Sequence, residues 1–288
     1  MTRLIHFSDI HLGLDRPGWK PLDFVSKRVT GWYHLHRGGR ALRFAEAPSV
    51  VRALGPEFAS HSPDAIVFSG DATALGFASE IAFARDALEP LRDVASVCLA
   101  VAGNHDHYTL RSRQRASFEK TFRDWQHGDR IRRHRYPFAR RVGDVWLIAV
   151  NSSKPNFLPH SARGACGRLQ RERLRQMLRE LPPGHRAILT HYPLADERDR
   201  PEPYWHRLAD HRAMLRIAIE GGVTHWLCGH RHRPYVLLPT RDRPLTQVCA
   251  GSATQKGLAG YFQIDFGEEV RIVRRDWNET AKEFTKVG

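Results

Sequence analysis

Apolar residues recur along this chain in short runs, separated by stretches in which they return at every third or fourth position. The runs predict strands at residues 4–8, 65–69, 97–102, 145–150, 187–190, 225–228, 235–238, 247–250 and 261–266. Several are too continuously apolar for one face to meet water, so they belong in a sheet covered on both sides. Between them, Phe77, Ile81, Ala84, Leu88 and Leu91 keep a helical period, as do Leu174, Met177, Leu178 and Leu181. Helices alternating with buried strands predict an α/β fold whose sheet is layered with helices. No repeat, low-complexity tract or Ser/Pro-rich linker divides the sequence, so residues 1–288 are expected to form one domain.

Five of the runs end in side chains that bind metals. They close on Ser8-Asp9-Ile10-His11, Gly70-Asp71, Gly103-Asn104-His105-Asp106, His191-Tyr192-Pro193 and Gly229-His230-Arg231-His232. Strand ends in open α/β sheets converge on one crevice where ligands bind. Glycine ahead of three of these clusters suits a tight turn and a close backbone approach. Each piece alone is weak, because Asp-x-His arises by chance and a lone loop histidine is mostly solvated or hydrogen-bonded. All five together, each at a strand end, are hard to reach by accident. Imidazoles with carboxyl and amide oxygens make a mixed N/O donor set suited to manganese, iron, zinc, cobalt or nickel, and the lack of thiolates argues against an iron–sulfur site.

Composition changes this picture little. The chain has 288 residues, 41% of them hydrophobic, enough for one sizeable core. No stretch approaches the roughly 20 apolar residues of a membrane span, and residues 1–7 enter a strand with no signal-peptide core before it, so a cytoplasmic protein is expected. Cys98, Cys166, Cys228 and Cys249 lack paired spacing, which indicates neither a disulfide framework nor a zinc ribbon. A net charge of +14 favours anionic partners such as nucleotides, nucleic acid or acidic lipid without choosing among them, and arginine-rich source composition explains it equally well.

The ordered motifs resemble the signature of the calcineurin-like metallophosphoesterases, and they run from residue 9 to residue 232. The resemblance implies a four-layer α/β/β/α sandwich with a dimetal site at the strand ends. It implies Asp9, His11, Asp71 and His232 as ligands of one divalent ion, and Asp71, Asn104, His191 and His230 as ligands of the other, with Asp71 shared. Manganese, iron or zinc are the expected ions. A shared carboxylate holds two cations roughly 3.5–4 Å apart, where they clamp a phosphoryl oxygen and turn bound water into a hydroxide nucleophile. The expected activity is therefore hydrolysis of an anionic phosphodiester, or of a phosphomonoester, by a bridging hydroxide. His105 is left over from the ligand set and is the expected group to protonate the leaving oxygen or stabilise the transition state. Asp106 would orient that ring, or alternatively only form an Asx turn. His107 reads as an ordinary loop residue.

Departures from the pattern narrow the family. Residues 70–76 lack the Asp-Arg-Gly of protein serine/threonine phosphatases, and no tyrosine follows Asp71 closely as in purple acid phosphatases. Repair nucleases usually extend further past the last motif, and typical UDP-2,3-diacylglucosamine pyrophosphohydrolases carry arginine where this chain has His105. What remains resembles the bacterial cyclic-nucleotide-phosphodiesterase-like branch, a resemblance that includes residues 145–153.

An insertion around residues 17–44 does not belong to the minimal fold. Within it Leu22, Val25, Val29, Trp32 and Tyr33 keep helical spacing among Lys20, Lys27, Arg28, Arg37, Arg40 and Arg43, and Gly31 is a plausible break. The segment reads either as an amphipathic helix packed on the domain or as a basic, aromatic surface for anionic membrane at the inner face. The second reading gives the alternative function, a membrane-associated phosphohydrolase acting on a nucleotide-lipid such as a UDP-diacylglucosamine-like substrate or on a phospholipid headgroup. Residues 130–141 hold six arginines interleaved with a hairpin and read as a solvated face. Neither basic run matches a nucleic-acid module, which leaves a nuclease a lesser reading. A non-catalytic scaffold would be expected to have lost ligands, and this sequence lacks none.

Overall fold

The computed structural model describes residues 1–158 and 160–287. Its strands are β1 (Thr2–Phe7), β2 (Ala65–Phe68), β3 (Val97–Ala100), β4 (Asp129–Arg130), β5 (Phe138–Val142), β6 (Val145–Ala149) and β7 (His185–Leu189), followed by β8 (His225–Cys228), β9 (Tyr235–Leu237), β10 (Thr246–Cys249), β11 (Gly260–Phe266), β12 (Val270–Asn278) and β13 (Glu283–Lys286). Its helices are α1 (Lys27–His36), α2 (Arg40–Arg43), α3 (Ala47–Ala59), α4 (Ala78–Leu88), α5 (Leu110–Gln114), α6 (Ser117–Thr121), α7 (Arg168–Glu180) and α8 (His211–Glu220).

Among the described residues the strands form two sheets, in the orders β13-β12-β11-β1-β2-β3 and β4-β5-β6-β7-β8-β10-β9. β1, β2 and β3 run parallel in the first, and β6, β7, β8 and β10 run parallel in the second. Side chains alternate across each strand, so each sheet has two apolar faces to cover. Leu4, Ala65 and Val67 meet Phe138, Leu147, Leu189 and Leu227 between the sheets. On the far side of the first sheet, Ile5, Phe7, Ile66 and Phe68 pack on Val50, Leu54 and Phe58 of α3 and Ile81 and Leu88 of α4. On the far side of the second, Ile148, Ile188 and Trp226 pack on Leu174 and Met177 of α7 and Met214 and Ile217 of α8. Helix, sheet, sheet and helix thus stack in four layers, the expected class.

Several elements carry no clear sequence pattern. β12 reads Val-Arg-Ile-Val-Arg-Arg-Asp-Trp-Asn, with charges where a fully covered strand would be apolar, yet it pairs with β11 along seven residues. β11 in turn pairs with β1, so the C-terminal strands complete the first sheet beside the strand that carries the first motif.

The segment between β1 and α3 departs from expectation in two ways. Its helix is not broken at Gly31, because α1 runs through it, and the chain turns instead at Gly38 and at Gly39, whose φ is 68°. Gly31 serves close packing: a Cβ there would lie 2.1 Å from the Tyr108 hydroxyl oxygen. Nor is the apolar stripe packed inward. Val25 is 83% exposed and Leu22 64%, with Phe24, Trp32, Tyr33 and Leu42 also exposed, while Arg28 is buried. Among the described residues no helix is long and apolar enough to cross a membrane.

Candidate metal centre

The loops that leave the C-terminal ends of β1, β2 and β3 in one sheet, and of β7 and β8 in the other, meet at one end of the sandwich. Asp9, His11, Asp71, His230 and His232 all have positive φ, between 44° and 71°, a conformation that non-glycine residues rarely adopt. Backbone held this way is stored strain, and here it turns five side chains towards one point. Gly229 permits the approach of two of these loops, since a Cβ there would lie 2.0 Å from Ser8 Oγ and 2.3 Å from Asp9 Oδ2.

One donor of each of Asp9, His11, Asp71 and His232 lies within 4.8 Å of the others. His11 Nε2 is 2.9 Å from His232 Nε2, 3.6 Å from Asp9 Oδ1 and 3.7 Å from Asp71 Oδ2. Beside this group, Asn104 Oδ1 is 3.1 Å from His191 Nε2 and 3.0 Å from His230 Nδ1, and His191 Nε2 is 3.4 Å from Asp71 Oδ2. Asp71 therefore stands between two sets of donors.

The outward hydrogen bonds of the rings fix which nitrogen is bare. His11 Nδ1 donates to the Thr73 carbonyl at 3.2 Å, His191 Nδ1 to the Ser69 carbonyl at 2.8 Å, and His232 Nδ1 to Gln255 Oε1 at 2.7 Å. His230 Nε2 donates to the His206 carbonyl at 3.0 Å. Each ring so arranged turns a lone pair inward, as second-sphere partners of metal-ligating histidines do. Two bare imidazole nitrogens 2.9 Å apart repel unless a cation or a proton lies between them. Asp9 Oδ1 is buried without any hydrogen-bond partner. Burial opposes charge on His191, but Asp71 and Asp9 outweigh it and lift that ring to about 9, so without a metal a proton must supply the positive charge. The inward ring lone pairs converging with Asp9 Oδ1, Asp71 Oδ2 and Asn104 Oδ1 fit a divalent cation at each set.

One expectation needs correction. Asp106 does not touch the ring of His105. Its buried carboxylate accepts from the backbone N–H groups of Gly103, Asp71, Ala72 and Thr73 and from Thr73 Oγ1, so it ties the β2 and β3 loops together. His105 donates through Nδ1 to the Ala74 carbonyl at 2.7 Å and accepts at Nε2 from Arg40 Nη2 at 3.1 Å. In this arrangement the Nε2 lone pair of His105 faces Arg40. Burial, and then Arg40, hold it well below the usual imidazole range.

Other contributors escape sequence reasoning. His107 is no ordinary loop residue: it is buried, accepts from Ser153 Oγ at 2.8 Å and donates to Glu119 Oε1 at 3.0 Å, underpinning the β3 loop. Gln255 holds His232, and Arg40 enters from α2; neither sits in a motif. Asp71, Asn104, His230 and His232 line one wall of a cavity of about 410 Å³ whose other wall includes Lys27, Arg40, Tyr108, His160 and His206.

Among solved structures, a dimetal phosphatase from Danio rerio is similar over 95% of both chains, with a TM-score of 0.67 at 13% identity. A purple acid phosphatase from yellow lupin (Lupinus luteus) seeds has a TM-score of 0.60 at 11% identity; it covers 99% of this chain, which spans 52% of the lupin chain. At such identities the likeness is one of fold. Among curated proteins none matches this sequence. The family model for calcineurin-like phosphoesterases matches residues 2–234, a span that holds every strand-end donor described above. With that match the converging donors find their class: the chain belongs to the calcineurin-like phosphoesterases and is a dinuclear metal hydrolase.

Proposed function

We propose that the chain hydrolyses a phosphodiester, with phosphomonoesters as secondary substrates, at a pair of divalent cations held by Asp9, His11, Asp71 and His232 on one side and Asp71, Asn104, His191 and His230 on the other. The position of Asp71 Oδ2 between the two sets, 3.7 Å from His11 Nε2 and 3.4 Å from His191 Nε2, carries this reading. Two bound cations supply Lewis acidity towards the phosphoryl group and acidify a water near neutral pH. The protein's own part is orientation. Thr73, Ser69, Gln255 and His206 fix the rings, and Asp106 fixes the backbone that carries Asp71. Arg40, backed by the Nε2 lone pair of His105, presents positive charge to the phosphoryl oxygens, where charge grows in the transition state. The mixed N/O donors suit manganese, iron or zinc.

The test is turnover of a bis-aryl phosphate by protein stripped with chelator and reloaded with manganese, iron or zinc, with bound metal counted in parallel. Two ions per chain and rapid release of the aryl alcohol are expected. Two ions per chain with no turnover of any phosphoester would sink the proposal.

A second reading rests on the outward apolar side chains of residues 22–42 and on Trp205, which is exposed beside His160 of the cavity wall. These suit a substrate whose leaving group is a lipid, hydrolysed at an anionic membrane surface. Co-sedimentation with phosphatidylglycerol vesicles should then be lost in the double variant Val25→Ser, Trp32→Ser. Equal sedimentation of variant and parent disposes of it.

A further inference from the structure

Three cations of the segment between β1 and α3 differ in what neutralises them. Arg28 is complete: it pairs with Asp23 at 2.5 Å and donates to the carbonyls of Leu75 and Gly76. Lys27 and Arg40 line the cavity instead, and among the described residues neither is ion-paired to a carboxylate. Lys27 Nζ donates to the Ser161 carbonyl at 2.5 Å and lies 5.5 Å from the centre of the Tyr108 ring. Two of its three N–H groups are left without a protein acceptor among the described residues. Arg40 donates through Nη2 to His105 Nε2 beside the His11 ring, and the rest of its fork finds no acceptor among the described residues.

Drawing cations partly out of water without a counter-charge is costly unless a ligand supplies one. Among the described residues the only carboxylate on the cavity wall is Asp71, which already faces the metal centre; the other ionisable groups there are lysine, arginine, histidine and Tyr108. The placement of Lys27 is not incidental, because α1 seats on Tyr108 at Gly31, where no Cβ fits.

We infer that Lys27 and Arg40 form an anion clamp facing the metal centre. Arg40 holds the reacting phosphoryl group, and Lys27 takes a second ionised phosphate on the same substrate. The preferred substrate class is thus a phosphoester that carries a further phosphate, not a singly charged diester. This rests on the phosphoesterase reading above but can fail separately from it.

The test uses manganese-loaded protein with manganese in excess and two probes, AMP and the non-hydrolysable α,β-methylene analogue of ADP, titrated by calorimetry. A single added charge-assisted contact makes the ADP analogue bind about tenfold tighter than AMP. Lys27→Met should bring the two probes to within about twofold, and Arg40→Gln should weaken both by about tenfold. Unchanged metal stoichiometry and melting temperature establish that the variants are folded. No preference in the parent protein, or a preference that survives Lys27→Met, overturns the clamp. A preference that behaves as expected in a protein that hydrolyses no phosphoester leaves the clamp standing and removes the phosphoesterase reading instead.

Discussion

The loops after β1, β2, β3, β7 and β8 and the helices between β1 and α3 border the same cavity, yet they use polarity in opposite ways. At the strand ends each ring donates outward to a fixed acceptor and keeps its lone pair for the centre, so polar groups are buried and directed. In α1 and its flanks the usual arrangement is inverted. Cations turn towards the cavity and Leu22, Val25 and Trp32 turn towards solvent. The first region is rigid because strained backbone and second-sphere hydrogen bonds over-determine it. The second is tethered mainly through Arg28, Gly31 and the Lys27 contact to Ser161. The difference separates two tasks, with chemistry held by the sheets and substrate selection placed on the added helices.

Removing the shared ligand strikes the first region hardest. Asp71→Ala deletes the one side chain common to both donor sets and should cut phosphoester turnover at least about a thousandfold while lowering bound metal below two ions per chain. Metal analysis beside a rate assay reads both. Full occupancy with full activity would show that the two sets do not share this carboxylate. A milder version of the same cut is Gln255→Ala, which leaves every ligand in place but frees His232 Nδ1. Loss of such a second-sphere partner costs about 10- to 100-fold in metal affinity, measured by competition with a chromogenic chelator.

How far the two regions could be foreseen follows from the same contrast. The strand-end donors were legible because covered parallel strands read as apolar runs, and metal-competent residues at their ends stand out against them. Gln255 was not, since a hydrogen bond to a ring leaves no periodic trace. Asp106 was not either, because its carboxylate turns away from the ring of its sequence neighbour His105. The four backbone donors it caps come from two loops, and only folding brings them together. In the insertion the helical spacing is legible, while sequence alone leaves both directions of its apolar face open. Periodicity says which residues share a face, not which way the face turns, and Arg28 reaching Asp23, Leu75 and Gly76 turned it.

Acidity sharpens the contrast from the side of the cavity. Burial lowers Lys27 to about 8, with Arg40 adding to that effect and Asp71 opposing it; the Ser161 carbonyl and the Tyr108 ring are its close neighbours. The sign follows from a cation whose folded value lies below its unfolded one. Stability should rise as pH climbs from about 8 towards the ordinary lysine range, because the folded chain sheds the proton first. Affinity for the ADP analogue should fall over that same window, by about tenfold in all, as the ammonium neutralises. Opposite slopes for melting temperature and binding are the expected outcome, and parallel slopes would rule out Lys27 as the titrating group.

The smallest effect is the most direct check on the inverted helix. Val25 is 83% exposed, and replacing an exposed side chain that makes no hydrogen bond changes stability by no more than about 0.5 kcal/mol. Val25→Ser should therefore leave the denaturant midpoint almost where it was. A packed valine at the same position would lose its transfer free energy and bury a hydroxyl besides, costing about 2 kcal/mol or more. Ile81→Ser, in the core beneath the first sheet, supplies that packed reference within the same molecule. If Val25→Ser destabilises the protein as much as Ile81→Ser does, residues 22–42 pack inward after all. The apolar face would then be structural, and the case for a lipid leaving group would lose its support while the cavity cations kept theirs.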